Sequence, residues 1–451
     1  MKVHLIACGG AVMHNMAIAL HKKGYEVTGS DDEIFEPAKS RLKQYGLLPE
    51  KIGWDSERIK ADIDIIILGM HARENNPELI KAKELNLKIV SFPEYLYEQT
   101  KNKTRIVIGG SHGKTSVSSM IMHVMKNCGY NFDYMVGAKI EGFDTMVNLE
   151  EKNEIAVFEG DEYLSSAIDP SPKFHWYKPH IAALTGIAWD HINVFPTFEN
   201  YVKQFDIFID KIENEGSLIY YSEDEILKDL TKNKTNIEII PYKEIENKPT
   251  DNQTIITANK TKYIINLIGK HNMQNINAAK LVCNKIGISD DDFFKEIASF
   301  KGAAKRLQLI AQTDNSVFYL DFAHAPSKLK ATTQAVKMQY PNRKLVACIE
   351  LHTFSSLSKN FLPQYKNTME MADTAIVYYN KQVIAHKNLE NIEPQTVEKE
   401  FGGNVMVFTN SKDLQNYLKS LNWENKNLLM MSSGNFDGIN FDEFAIELRL
   451  K

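Results

Sequence analysis

The sequence predicts an α/β protein of three domains. Three observations lead there. The chain has 451 residues, more than one hydrophobic core normally organises. Short β-branched apolar runs alternate along it with segments apolar at helical spacing, the pattern of parallel sheets covered by helices. The alternation is interrupted by a linker-like Asn102-Lys103-Thr104 and resumes as a new block near Gly302. The expected domains are 1–103, 104–301 and 302–451.

In the first block, Val3–Ala7 reads as a strand, Gly9-Gly10 as a turn and the segment from about Met13 to Lys23 as a helix closed by Gly24. Glu26–Asp31 forms the next strand and its end. Ile63–Leu68 is a further strand, followed by a helix and then Lys88–Ser91. The run Gly9-Gly10-Ala11-Val12-Met13 does not spell the dinucleotide fingerprint, because Ala11 and Val12 replace glycines. Its backbone N–H groups could surround a diphosphate, with Asp31 accepting a ribose or base hydrogen bond. The same residues also suit a plain strand–turn–helix.

The second block opens on the most informative stretch. Arg105-Ile106-Val107-Ile108 predicts a strand, Gly109 to Ser116 a glycine turn, and Val117 to Cys128 a helix. Strand, Gly-Lys-Thr turn and helix together make a phosphate-binding loop. Glycines admit backbone N–H groups to a triphosphate, and the helix N-terminus adds partial positive charge. Gly110, Ser111, His112, Gly113 and Ser116 would line it, Lys114 would reach the outer phosphates, and the Thr115 hydroxyl would bind Mg²⁺. The standard pattern would put a glycine where Ile108 stands.

Ligands of parallel sheets gather at the carboxyl ends of strands. Two more runs end there in chemistry. Ile155–Phe158 leads into Glu159-Gly160-Asp161-Glu162, and Ile181–Leu184 leads towards Asp190-His191. A hard carboxylate beside a triphosphate suits Mg²⁺, and a neutral imidazole can hold a second ion or a phosphate ligand. Alone, Glu159 is better read as a solvated loop carboxylate. Asn272 and Asn275 share one face of a helix that opens near Gly269. Their amides can pair with an adenine edge or simply cap the helix start. The polar stretch at 222–262 reads as short strands and surface loops. In the third block, Val317–Leu320, Leu345–Ile349, Thr374–Tyr378 and Leu428–Met431 are the strand candidates.

Composition narrows the setting. The formal net charge of −5 provides no general attraction for nucleic acid or an anionic membrane. No apolar run is long enough to span a bilayer, and the N-terminus begins directly on a strand rather than a signal peptide. The four cysteines are scattered without CxxC spacing, as expected of free thiols in a reducing compartment. A cytoplasmic monomer or weak homo-oligomer is expected.

Taken together, Gly110–Ser116, Glu159–Tyr163, Asp190-His191, His271-Asn272 with Asn275, Lys305-Arg306 and Asp321–His324 resemble the Mur ligase family, the ATP-dependent amide ligases of peptidoglycan assembly. The resemblance covers essentially the whole chain. It implies a Rossmann-like N-terminal domain, a central P-loop ATPase-like domain and a Rossmann-like C-terminal domain that closes over ATP and binds the incoming amine. It implies ATP and Mg²⁺, the latter held by Thr115, Glu159 and His191. Lys114, His191 and Arg306 would neutralise the transferring phosphoryl group, and Asn272, Asn275 and Asp321 would hold the nucleotide. Gly9, Gly10, Ala11, Val12, Met13, Asp31 and His71 would bind UDP-N-acetylmuramate. His324, His352 and Asn435 would meet the peptide.

Within the family, Val27–Asp31 with Pro37, Glu162-Tyr163 followed by Lys173-Phe174, and Met431–Ile439 look like the murein peptide ligase branch. That branch joins L-alanyl-γ-D-glutamyl-meso-diaminopimelate to the same UDP-sugar. The L-alanine-adding branch is the alternative, and a non-catalytic UDP-sugar sensor a more distant one. Three departures stand out. His352 occupies the place where diaminopimelate-recognising members often carry arginine. Phe205 and Asp206 stand where many relatives have a carbamylated lysine. Ala325 follows His324 where a second histidine is common.

Overall fold

Strands such as Ile65–Leu68, whose four residues are all buried, can lie only inside a sheet covered on both faces. The computed structural model of the chain describes residues 1–189, 194–250, 253–303, 305–387 and 389–450. It divides into two compact units, one of Met1–Lys243 with Asn275–Glu296, the other of Glu244–Gln274 with Ile297–Lys451.

The first unit holds two main sheets. Lys2–Ile6 pairs in parallel with Glu26–Ser30 on one side and Ile65–Leu68 on the other, and Ile89–Ser91 extends the sheet. The glycine turn leads into the helix Ala11–Lys22, which starts earlier than its apolar pattern suggests. The second sheet has seven strands, with Thr104–Gly109 at its centre. Its neighbours Ile155–Glu159 and Ile181–Leu184 both run parallel to it, pairing Glu159 with Ile108 and Leu184 with Gly109. Three carboxyl ends therefore fall in one row.

The polar stretch is more regular than its composition suggests. It contains the helix Glu225–Thr231 and the strand Glu238–Tyr242, which forms one edge of the seven-stranded sheet.

A buried polar cluster ties the first sheet to the helix Pro77–Glu84. Glu78 is fully buried and His4 equally so. Glu78 accepts from the Ser30 hydroxyl and, at 2.8 Å, from Asp55 N, while His4 Nε2 lies 3.4 Å away. Burial alone would raise the Glu78 pKa, but the His4, Ser30 and Asp55 contacts outweigh it and hold it below the ordinary glutamate value. A depressed folded pKa stabilises the fold above the unfolded value, and that stability is lost as pH falls through the folded one. Glu78→Ala is expected to cost about 3 kcal/mol at pH 7, with the difference from wild type narrowing under acid. Urea unfolding across pH measures this, and a pH-independent gap would refute it.

The second unit carries a six-stranded sheet. Its order is Gln308–Gln312, Val317–Asp321, Lys426–Met431, Lys344–Glu350, Thr374–Tyr378 and Met406–Phe408. The first pair is antiparallel and the others parallel. Register places Asp321 and Ile349 on either side of Met431, so these strands also end together. A three-stranded antiparallel sheet, Asn247–Pro249, Thr254–Ala258 and Thr261–Ile265, belongs to this unit. Among the described residues, no helix is long and apolar enough to cross a membrane.

Candidate active site

The row of strand ends in the first unit brings the phosphate-loop residues together. Gly113 precedes the helix Lys114–Asn127 with a left-handed φ of 75°, a conformation glycine adopts without strain. At Gly110, φ is 123° and an added Cβ would collide with Thr185 Oγ1. The loop and the neighbouring strand end are clasped together. Ser111 N donates to Gly186 O at 2.9 Å, and the Thr185 hydroxyl donates to His112 O.

Lys114 Nζ donates to Gly110 O and to Glu162 Oε2, each at 2.7 Å. Burial alone would lower its pKa, but the charges of Glu162 and Asp161 overcome this and carry it up to about 12, so the side chain is a permanent cation. Thr115 Oγ1 donates to Glu159 Oε1 at 2.7 Å, and Gly137 N donates to Glu159 Oε2 at 2.7 Å. A hydroxyl and a carboxylate, both hard oxygen donors, thus meet beside the lysine, a donor set that fits Mg²⁺ better than a soft metal. Ser116 is buried at the start of the helix. Asn275 reaches the same loop from far along the chain: its Oδ1 is 2.5 Å from where a Gly113 Cβ would stand. Asp190 and His191 lie outside the described residues.

A cavity of about 580 Å³ opens beside the first glycine turn. Gly9, Gly10, Ala11, Asp31 and His71 line it, whereas Val12 and Met13 do not. Met13 is 5% exposed and packs in the core, with Val12 against that core. Asp31 accepts from Gly9 N at 2.7 Å and Asp32 N at 3.0 Å. Burial, then the neighbouring Asp32, pushes its carboxyl up to about 7. Sequence reasoning missed His14, Arg41, Arg73 and Lys139, which add basic side chains to the walls. Arg73, two residues after His71, was the member nearest to recognition. A second cavity of about 550 Å³ shares His71 and Arg73 with the first and is bounded also by Tyr163 and Ala167.

In the second unit, Asn272 is buried, and its amide donates to Ile268 O at 2.8 Å. Asp321 accepts from Leu307 N at 2.6 Å and Ala323 N at 2.7 Å, so its carboxylate fixes the turn that carries Arg306. Burial raises the Asp321 pKa above the ordinary aspartate value. The Arg306 guanidinium lies 4.6 Å from the centre of the Phe322 ring. Glu350 accepts from the Ser432 hydroxyl and from Phe436 N, and its carboxylate is 3.7 Å from His352 Nδ1. Burial would raise the Glu350 pKa, but His352 and these donors reverse the effect. Gly434 lets this happen, because a Cβ there would come within 2.8 Å of Glu350 and 3.0 Å of His352. Asn435, the residue after Gly434, is exposed. His324 sits on the adjacent strand end, its Nδ1 2.8 Å from Phe322 O.

Two family models match the chain, the Mur ligase family catalytic domain over residues 2–104 and the Mur ligase middle domain over residues 108–283. A UDP-N-acetylmuramate–L-alanine ligase of Caldicellulosiruptor bescii is 30% identical over 438 residues, 92% of each chain. The chain belongs to the Mur ligase family. Two solved structures share the fold of this Mur ligase end to end. A UDP-N-acetylmuramate–alanine ligase of Thermotoga maritima has a TM-score of 0.72 at 20% identity, covering 100% of this chain and 99% of that one. A murein peptide ligase of Psychrobacter arcticus has a TM-score of 0.67 at 21% identity, covering 99% and 98%. Membership makes the protein an ATP-dependent ligase, and the α/β architecture expected from its sequence is that of the family.

Proposed function

We propose that this Mur ligase joins the lactyl carboxylate of UDP-N-acetylmuramate to the amine of a peptide, L-alanyl-γ-D-glutamyl-meso-diaminopimelate, in peptidoglycan recycling. The observation that carries the ligase chemistry is the meeting of Lys114, Thr115 and Glu159 at one row of strand ends. Activating a carboxylate with ATP brings two anions together, so concentrated positive charge is the main requirement. Lys114 supplies a fixed cation for the outer phosphates. Thr115 and Glu159 would hold Mg²⁺, with His191 as a further ligand; when bound, the ion neutralises phosphate charge. Asn275 borders the phosphate loop, and Asn272, Arg306 and Asp321 are the further residues that the family motifs assign to the nucleotide.

The cavity at Gly9, Gly10 and Asp31 takes the UDP moiety, its diphosphate matched by basic residues such as Arg41, Arg73 and Lys139. The second cavity, reached past His71 and Arg73, takes the sugar and its lactyl arm.

Charge favours a peptide acceptor. Lys305 Nζ donates to Gly434 O at 3.2 Å, and Phe322 N donates to Lys305 O at 2.8 Å. Lys305, Arg306, His324 and His352 are thereby set around the loops that end neighbouring strands. Lys305 with the two imidazoles suits an acceptor with several carboxylates, whereas L-alanine has one. L-alanine itself is the second reading, favoured by the name of the relative that aligns over 92% of this chain. A reaction that consumes ATP and a UDP-sugar belongs in the cytoplasm.

Phosphate release separates the two readings when L-alanine, the tripeptide and the tetrapeptide are offered in parallel with ATP and UDP-N-acetylmuramate. The tripeptide is expected to exceed L-alanine in kcat/KM by at least about tenfold. L-alanine as the sole active acceptor would overturn the peptide assignment.

A further inference from the structure

Lys114 is not placed by the phosphate loop alone. Its partner Glu162 is 1% exposed, and the other carboxylate oxygen, Oε1, accepts from the Tyr201 hydroxyl at 2.8 Å. That hydroxyl lies 2.8 Å from Ser111 Oγ, and Ser111 Oγ accepts from Ala188 N at 2.8 Å. Donor and acceptor chemistry orders the protons along these contacts. A backbone N–H can only donate, and a carboxylate can only accept. Tyr201 gives its single proton to Glu162, so Ser111 must donate to Tyr201. The chain therefore runs one way, from Ala188 N–H through Ser111 and Tyr201 to Glu162, and Glu162 closes on the Lys114 ammonium.

We infer that Tyr201 is a positioning residue for the phosphate-loop lysine, its hydroxyl coupling the Lys114–Glu162 pair to the backbone beyond the strand Ile181–Leu184. Hydrogen bonds aligned in one direction polarise one another, most strongly away from water. Tyr201 is fully buried and Ser111 3% exposed. The tyrosine ring is held independently of its hydroxyl, edge-on to Phe205 at 5.2 Å and against Phe195 at 5.5 Å. The side chain comes from the helix Phe198–Asp210, which contributes none of the residues expected at the nucleotide from the family motifs. Through this chain, the position of the lysine and the path of the segment leading towards Asp190 are set together. The inference rests on the reading of Lys114 as the residue that meets the phosphates.

The test is a double-mutant cycle of Tyr201→Phe, Ser111→Ala and the pair, read on the full-length enzyme with ATP, Mg²⁺, UDP-N-acetylmuramate and the tripeptide. Tyr201→Phe keeps the ring and is expected to lower kcat by about 10- to 50-fold, with KM for UDP-N-acetylmuramate unchanged within twofold. The pair is expected to be no worse than the poorer single variant, because one cut already breaks the chain. Independent losses that multiply, or kcat within twofold of wild type in Tyr201→Phe, would overturn the inference.

Affinity for the non-hydrolysable analogue AMP-PNP with Mg²⁺ is read in parallel. It should weaken by about fivefold in each single variant and no further in the pair. This second readout separates the two ideas. If wild type turns over no acceptor, the ligase reading fails, and the AMP-PNP cycle alone then decides the inference. Unchanged affinity in both single variants would overturn it.

Discussion

Lys114→Ala is expected to reduce phosphate release by at least about 10³-fold, equivalent to roughly 4 kcal/mol of transition-state stabilisation. The lysine donates to the phosphate-loop backbone through Gly110 O. UDP-N-acetylmuramate binding should survive, because Lys114 is not among the residues lining the glycine-turn cavity. Calorimetric titration with the UDP-sugar checks that point. Lys114→Arg should not restore turnover, since a planar fork cannot replace a compact ammonium held between Gly110 O and Glu162. The single substitution also strands Glu162 as a buried carboxylate without its cation, a cost to folding. Lys114→Met combined with Glu162→Gln should regain that stability and remain inactive, which isolates the chemical loss from the structural one. Turnover within tenfold of wild type in Lys114→Ala would reject the proposed role.

The largest effect on stability is expected at Arg105. This side chain is 1% exposed and spends its donors almost entirely on backbone. Nε reaches Tyr177 O at 2.8 Å and Lys178 O at 3.0 Å. Nη1 reaches Thr100 O at 3.0 Å, Lys101 O at 2.8 Å and Lys103 O at 3.2 Å, and Nη2 meets Glu213 Oε1 at 2.8 Å. Several of these carbonyls end the helix Phe92–Thr100, where no intrahelical donor exists. One guanidinium thereby satisfies a helix end, the linker after it and a turn some seventy residues later. Arg105→Ala leaves buried acceptors unpaired and is expected to cost about 4 kcal/mol, lowering Tm by roughly 5 °C. Arg105→Lys should recover little, because three donors on a flexible stem cannot span that fan of acceptors. Scanning calorimetry measures both variants, and a Tm change under 2 °C for Arg105→Ala would refute the assignment.

Much of the fold is legible in the sequence because strands buried on both faces spell themselves out. Ile65–Leu68, Ile155–Phe158 and Ile181–Leu184 are continuous apolar runs. Edge strands are harder to see. Gln308–Gln312 is half solvated, and Glu238–Tyr242 sits at the sheet margin, where polar residues are tolerated. The phosphate loop and Glu159 are legible since each follows its strand directly. Tyr201 and Arg73 are not, because each reaches its place through topology rather than through local pattern. The helix begins at Ala11, and its periodicity turns the Met13 side chain inward. Asp321 carried a familiar motif, but only coordinates reveal that its oxygens hold the Leu307 and Ala323 amides.

His71 and Arg73 border two rooms at once. For a medicinal chemist that shared wall is a joint at which two weak fragments can be tied. On the assignment proposed above, a uridine mimic in one chamber and a carboxylate-bearing sugar mimic in the other would face each other across it. Linking them turns the second encounter into an intramolecular one, at an effective concentration near the millimolar range for a short flexible tether. Selectivity would then come from the span of the tether as much as from either head group.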